Sequence, residues 1–174
     1  DSTTRKPSEQ RLSVWRQTFD TNLFGVVAVT QAFLPLLRQS AAGRIVNLSS
    51  ILGSNTLHQQ PDSGIYDFKL PAYNVSKSAL NAWTVHLAHE LKNTAIKVNA
   101  AHPGNLQTDM GGADAPIGLV DGANTYVQPA LRPEDCPTSG HLHPSDTLPC
   151  YALLKPSASA FFTLRPSGVF SVAC

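Results

Sequence analysis

Residues 43–50 read Gly-Arg-Ile-Val-Asn-Leu-Ser-Ser. A glycine and a serine pair bracket a short β-branched run, Ile45-Val46 with Leu48, which reads as a buried strand. Ala42-Gly43 separates it from a helical pattern upstream. Ser8 stands where it would cap a helix starting near Glu9. Leu12, Trp15, Phe19, Leu23, Val26, Val27, Phe33, Leu36 and Leu37 recur at helical spacing to about Arg38. Pro35 should bend or end that helix. Downstream, a polar stretch holding Pro61, Asp62, Ser63 and Gly64 leads into a long helix. It runs from about Pro71 or Ala72 to Leu91, with Val75, Leu80, Trp83, Leu87 and Leu91 as its apolar positions. After Asn93-Thr94, Ile96-Lys97-Val98-Asn99-Ala100-Ala101 reads as a second buried strand, ended by Pro103-Gly104. Residues 105–120 are rich in Gly and Asp and read as a mobile loop; Asp121 to about Val127 reads as a short helix.

Helix, strand, helix, strand with short connections implies an α/β fold with parallel strands joined by right-handed crossovers. Ligands in such sheets bind beyond the carboxyl ends of the strands. Ser49-Ser50 and His102-Pro103-Gly104 occupy those ends.

The chain has 174 residues, a formal charge of +1, 42% hydrophobic residues and 14% charged ones. This length suits one domain with a sizeable core. Near-neutral charge argues against a nucleic-acid partner, since no basic surplus exists to neutralise phosphates. No uninterrupted apolar run approaches the ~20 residues of a membrane helix, so no membrane partner is expected. Nor does the N-terminus read as a signal peptide. Cys136, Cys150 and Cys174 lie far apart without a Cys-x-x-Cys spacing, which fits neither a disulfide framework nor a zinc site. A reducing, cytoplasmic setting follows as the expectation. His86 and His89 share a helix face and His141 and His143 alternate, but no carboxylate–histidine pattern surrounds them and no metal is expected. Composition shifts near residue 129: the last 46 residues hold seven of the 13 prolines and all three cysteines. Residues 1–128 therefore read as the ordered core, and the remainder as loop-rich.

Tyr73 and Lys77 are four apart on the long helix, on one face and about 6 Å apart along its axis. A free tyrosine, with a pKa of about 10, is a poor acid–base group at neutral pH. A neighbouring ammonium favours the phenolate, so the pair can make a phenol that exchanges protons near neutrality. An ordinary surface pair on an amphipathic helix has the same spacing. Ser50 follows the strand expected beside that helix, where its hydroxyl can donate to a substrate carbonyl; the plainer reading is that Ser49 and Ser50 end the strand or cap a turn. Asn22 lies inside the first helix, where asparagine is unfavourable. Its side chain can bond backbone and open the helix, freeing a carbonyl to hold a water in a proton path to Lys77; otherwise it is a solvated asparagine. Pro103-Gly104 lets backbone approach a ligand closely, and Thr108 can offer its hydroxyl to a cofactor amide.

Taken together, Thr-Asn-Leu-Phe-Gly at 21–25, Gly-Arg-Ile-Val-Asn-Leu-Ser-Ser at 43–50, Tyr-Asn-Val-Ser-Lys at 73–77 and Val-Asn-Ala-Ala-His-Pro-Gly at 98–104 resemble the short-chain dehydrogenase/reductase family. The likeness covers roughly residues 8–128, and Thr-Asp-Met-Gly-Gly at 108–112 looks like its carbonyl-reductase-like branch. The resemblance implies a Rossmann-like, doubly wound parallel sheet and an NAD(P)-dependent oxidoreductase acting on a small-molecule carbonyl or alcohol. Tyr73 would be the general acid in reduction and the base in oxidation. Lys77 would lower the tyrosine's pKa and bond the nicotinamide ribose. Ser50 would polarise the substrate carbonyl, and Asn22 would complete a proton relay. Pro103, Gly104 and Thr108 would face the nicotinamide, with NADP(H) favoured over NAD(H). Asn47 would serve the fold. A homo-oligomer through the Tyr73–Leu91 helix is also implied.

Three departures from the family's pattern set further expectations. No Gly-x-x-x-Gly-x-Gly or Gly-x-Gly-x-x-Gly occurs, the first residue is Asp1, and Met110 is the single methionine. The expectation is a chain lacking an N-terminal part on the order of 90 residues, at about 30 per strand–helix unit. Dinucleotide binding without that part is doubtful, and exposed sheet edges would be an aggregation hazard. The 22 residues between Ser50 and Tyr73 leave Ser54 to Leu70 as an added loop near the substrate entrance. Residues 129–150 resemble a degenerate last strand and closing turn, with Cys136 and Ser139 where glycines are expected and Cys150 where an aromatic is usual. Residues 151–174 form an irregular tail resembling nothing recognised. A non-catalytic binding remnant or a nonfunctional fragment of the same fold are the alternative readings.

Overall fold

A computed structural model of the chain describes residues 6–109, 111–131 and 138–142. The three cysteines, most of the expected closing turn and the tail at 151–174 lie outside them. Helix α1 (Leu12–Phe19) passes through a π-helical turn (Asp20–Phe24) into α2 (Gly25–Leu37). Strand β1 (Arg44–Leu48) follows, then a 3₁₀ turn (Ile51–Gly53), α3 (Asn55–Gln59), α4 (Pro71–Glu90), β2 (Lys97–Ala101), α5 (Leu119–Leu131) and β3 (His141–Leu142).

The strands form one parallel sheet in the order β1-β2-β3. Arg44 pairs with Lys97 and Leu48 with Ala101, so Ser49-Ser50 and His102-Pro103-Gly104 leave the sheet side by side at its carboxyl edge. The ladder continues one step further, from Ser49 N–H to the Ala101 carbonyl at 2.8 Å. Ile45, Leu87, Ala88, Leu91, Ile96 and Val98 form the core, with Leu34, Leu37 and Trp83 packed against it. These are the apolar faces of β1, β2 and α4 closing on one another, the burial that drives such layers together.

Several boundaries differ from the sequence reading. The first helix begins at Leu12 rather than Glu9, and Ser8 does not cap it. Gln10 explains the delay: it is buried, and its Oε1 accepts the Ala72 N–H at 3.1 Å, so the chain is held at the start of α4 before it can coil. That bond satisfies one of α4's free amides, which Leu70 supplies no side chain to cap. Pro71 takes the first turn, where its missing N–H costs nothing. Pro35 sits in the last turn of α2, which ends two residues later. Residues 51–59, read as polar connection, contain two short helical turns capped by the hydroxyls of Ser50 and Ser54. The loop after Gly104 is closed by a parallel bridge between Leu106 and Ile117. Helix α5 is longer than the expected Asp121–Val127 and crosses residue 128, while β3 adds residues 141–142 to the sheet.

Helical spacing also counted as core some residues that the fold leaves outside. Phe33 is 57% exposed, Leu36 62% and Val75 45%. Leu48 is 55% exposed on β1, which is an edge strand among the described residues. The continuous helix Leu12–Leu37 is long and apolar enough to cross a membrane by length and composition, a criterion that helices of water-soluble proteins also meet. Its inner side packs on α4.

Candidate functional site

The site is built on the first two turns of α4 and the exit from β1. Ser50 leaves the strand with extended backbone, and its Oγ accepts the Leu52 N–H at 3.2 Å, capping the 3₁₀ turn. The same buried hydroxyl hydrogen-bonds Tyr73. The turn-capping and site readings of Ser50 therefore coexist, because a hydroxyl accepts and donates at once. Ser49 points elsewhere: its Oγ donates to Asn81 Oδ1 at 2.5 Å, locking β1 to α4.

Lys77 is one turn from Tyr73, with Nζ 5.6 Å from the tyrosine ring centroid. It is buried, and Nζ donates to the Leu48 carbonyl at 2.8 Å. Burial pulls the Lys77 ammonium below its ordinary value. Burial likewise pushes the Tyr73 phenol up, against a smaller opposing effect from the Ser50 hydrogen bond. The spacing alone predicts a lowered phenol pKa. In the structure the ammonium lies over the ring and is directed at Leu48, and loss of solvent decides the direction.

Asn22 sits mid-way along the π-helical turn, so the helix does open locally at this residue. Its side chain does not bond its own backbone as expected. Nδ2 donates across to Ser76 Oγ at 3.1 Å, and Ser76 Oγ donates to the Tyr73 carbonyl at 2.7 Å. This short chain of bonds couples the π turn to the segment carrying Tyr73 and Lys77.

Pro103 is buried, and Gly104 adopts φ +87°, a conformation that favours glycine. A Cβ at Gly104 would collide with Cδ1 of Ile117, so the close approach there is to this chain's own isoleucine. Thr108 is exposed, and its bonds stay within its loop: Oγ1 accepts the Gly111 N–H at 3.1 Å and lies 3.5 Å from the Leu106 carbonyl. With Gln107, Asp109, Gly112 and Ala113 it lines an open depression of about 350 Å³. Asn22, Ser50, Tyr73 and Lys77 are thus gathered on α4, while Thr108 is held apart.

Sequence reasoning missed four contributors. Gly53 lets the 3₁₀ turn touch α4: a Cβ there would lie 2.9 Å from the Lys77 carbonyl carbon and 2.8 Å from Asn81 Nδ2. Thr84 receives the Asn47 amide at 2.8 Å and passes its own proton to the Leu80 carbonyl, which ties Asn47 to the fold. His58 lies among Leu52, Lys69 and Asn74. Tyr126, on α5, has a buried hydroxyl, and its pKa is pushed up by burial first and by the neighbouring Tyr73 phenol second. A glycine three residues past Ser50 was the one available signal for Gly53; the other three depend on chain segments distant in sequence.

Parallel strands with flanking helices, and a Tyr–Lys–Ser cluster at their carboxyl edge, define a Rossmann-like fold. The chain belongs to the short chain dehydrogenase family, which it matches over residues 2–116. It is 37% identical over 120 residues to the C-signal protein of Myxococcus xanthus, covering 68% of each chain. Carbonyl reductase Sniffer of D. melanogaster superimposes with a TM-score of 0.70 at 31% identity, over 83% of this chain and 60% of that one. A short chain dehydrogenase from Shigella flexneri 2a, complexed with NADP, gives 0.60 at 26% identity, over 80% of this chain and 56% of that one. The chain spans from about a quarter to about two thirds of the length of the curated relatives it matches, and a little over half of the solved structures.

Proposed function

We propose that this chain carries the proton-transfer end of an oxidoreductase that interconverts a small-molecule carbonyl and an alcohol, with NADP(H) favoured over NAD(H). The carrying observation is that Ser50 hydrogen-bonds the Tyr73 phenol while Lys77 lies over the same ring. Burial holds Tyr73 in its protonated form at neutral pH, which is the form a proton donor to a carbonyl oxygen needs. Ser50 offers a second donor beside it, fixed by its bond to Leu52, so carbonyl oxygen charge is met by two hydroxyls already in place. Lys77 restrains the tyrosine from below and stays anchored on Leu48; Asn22, through Ser76, holds the turn between them.

A nicotinamide cofactor supplies or takes the hydride when bound. Among the residues present, the buried ammonium of Lys77 fits its ribose end, and Pro103, Gly104 and Thr108 belong to the segment that would face the nicotinamide. The glycine-rich phosphate turn is not among the 174 residues, so the diphosphate would be held by groups outside them. The bound NADP of the Shigella relative supports the choice of cofactor. A cytoplasmic setting and a homo-oligomer through α4, where Val75 and Val85 are exposed, belong to the same proposal.

Turnover of the intact protein with NADPH and a panel of aldehydes and ketones is the test. Tyr73→Phe and Lys77→Ala should each lower kcat by about a hundredfold or more, the usual scale of a positioned proton donor. Near-normal turnover in both variants would remove the assigned roles.

A further inference from the structure

We infer that Tyr126 is a specificity-determining residue: its hydroxyl donates to a second, neutral oxygen of the substrate, one or two carbons from the carbonyl that Ser50 and Tyr73 hold. The inference rests on the reading of Ser50 and Tyr73 just given. Tyr126 belongs to α5, which packs on β1 and β2. Two close fits fix the segment that leads to it. Ile117 lies so near Gly104 that a Cβ there would collide with it, and Leu106 lies as near Gly122. The Leu106–Ile117 bridge joins the two fits. Gly104 leaves β2 beside Ser49-Ser50, so α5 is anchored at the same carboxyl edge as the site.

The face that α5 turns inward is polar. Gly122 and Thr125 are buried and Tyr126 is half-buried, while Leu119, Val120, Val127 and Leu131 are exposed. Packing alone selects the reverse, apolar in and polar out. Thr125 Oγ1 and Tyr126 Oη are buried, and neither has a hydrogen-bond partner among the described residues. A buried hydroxyl left unbonded is costly, so one that persists points to an acceptor from outside the chain. Burial, and then the nearby Tyr73 phenol, push the Tyr126 pKa up, so its hydroxyl stays protonated at neutral pH. It is a donor without an acceptor, and its complement is an oxygen lone pair. The two phenols are neighbours that no bond joins, which places that second oxygen close to the reacting one. Its charge follows from the surroundings. The acidic side chain of α5, Asp121, is exposed, the inward face presents no cation, and Lys77 is committed to the Leu48 carbonyl. An ionised carboxylate would find no countercharge there, so the acceptor is an ether, ester or carbonyl oxygen.

Two isosteric substrate pairs test this, each exchanging an ether oxygen for a methylene: methoxyacetone against methyl propyl ketone, and methoxyethyl methyl ketone against methyl butyl ketone. In the intact protein with NADPH, Tyr126→Phe should lower the methoxy-to-alkyl ratio of kcat/KM about fivefold in at least one pair, the scale of one hydrogen bond. Intrinsic reactivity cancels in that comparison. Without ligand, Tyr126→Phe should melt above the wild type by roughly 2–4 °C, because it removes an unbonded buried hydroxyl. Ratios unchanged in both pairs would overturn the inference. So would a Tm that stays level or falls, or a variant that does not fold, since the hydroxyl would then have a partner within the protein. If the intact protein reduces no carbonyl, the proposed function fails, and melting in the presence of each ketone decides Tyr126. The methoxy ketone of one pair should raise the wild-type Tm more than its alkyl counterpart does, and that difference should vanish in Tyr126→Phe. A wild type that melts alike in both members of each pair refutes the second contact.

Discussion

Gly53→Ala is the perturbation whose consequence can be worked most directly from contacts. The alanine methyl would sit 2.9 Å from the Lys77 carbonyl carbon, 3.0 Å from its oxygen and 2.8 Å from Asn81 Nδ2. Side-chain movement relieves only the last, and that amide is committed: its Nδ2 reaches the Gly53 carbonyl at 3.4 Å and its Oδ1 receives the Ser49 hydroxyl. The other two atoms are backbone inside α4. Regaining an ordinary 3.4 Å contact requires the 3₁₀ turn to retreat from the helix by about 0.5 Å. Overpacking of this kind costs about 1–3 kcal/mol, which is a fall in Tm of roughly 2–12 °C for a chain of this size. The retreat carries Ser50 with it, since Gly53 N–H bonds the Ser50 carbonyl at 2.9 Å. Half an ångström between Ser50 and Tyr73 should cost about tenfold in kcat, a fraction of the loss attached to a full ångström. Gly64→Ala is the matched control, because a Cβ there meets nothing within 4 Å. Calorimetry and steady-state turnover on both variants suffice. If Gly53→Ala melts and turns over like Gly64→Ala, the close packing of the turn on α4 does not set the site.

Two further predictions concern Ser139 and the Lys77 ammonium. Ser139 has φ +68°, at a position where the family resemblance leads one to expect glycine. Ser139→Gly should relieve about 1–2 kcal/mol of left-handed strain, less about 0.4–1 kcal/mol for the freer unfolded chain; a Tm that does not rise would show the strain is absent. Lys77 is depressed by burial, so between its folded pKa and 10.5 the unfolded chain binds the extra proton and stability attributable to the side chain rises with pH. Urea melts at about pH 8 and about pH 9.5 should therefore show the wild type gaining on Lys77→Met. A gap that widens against the wild type would reverse the assigned direction.

The parallel alternation was legible because each element announces itself locally. A β-branched run between Gly43 and Ser49, and apolar residues at helical spacing through Leu80, Leu87 and Leu91, need no knowledge of what they meet. The same patterns cannot say what covers a face, and so Phe33, Leu36 and Val75 were counted inward although the fold leaves them exposed. The start of α1 was misplaced for a related reason. Ser8 is a good cap by type, but Gln10 is drawn to Ala72, a partner sixty-two residues away. The candidate site was legible as residue types at spacings, whereas its electrostatics were not. Spacing alone puts an ammonium near a phenol; only the fold shows that Lys77 is directed at Leu48 and that burial raises Tyr73.

Every candidate residue that the structure gathers is held through α4 and not by its own element alone. Ser50 meets Tyr73 on its first turn, and Lys77 reaches back from the second to the last residue of β1. Asn22 attaches to Ser76 between them. Helix α4 in turn is locked to β1 through Ser49–Asn81 and Asn47–Thr84, two buried bonds a turn apart. A sliding or rotation of α4 on β1 would therefore disturb all four candidate side chains together, and would first have to break buried polar bonds, each costly to leave unmade. In this arrangement the polar residues inside the helix–strand interface do what apolar packing cannot. Leu80, Leu87 and Leu91 tolerate small displacements along the sheet, but a hydroxyl donating to one particular amide oxygen does not. The register of the site is thus set by Asn47, Ser49, Asn81 and Thr84, none of which needs to touch a substrate.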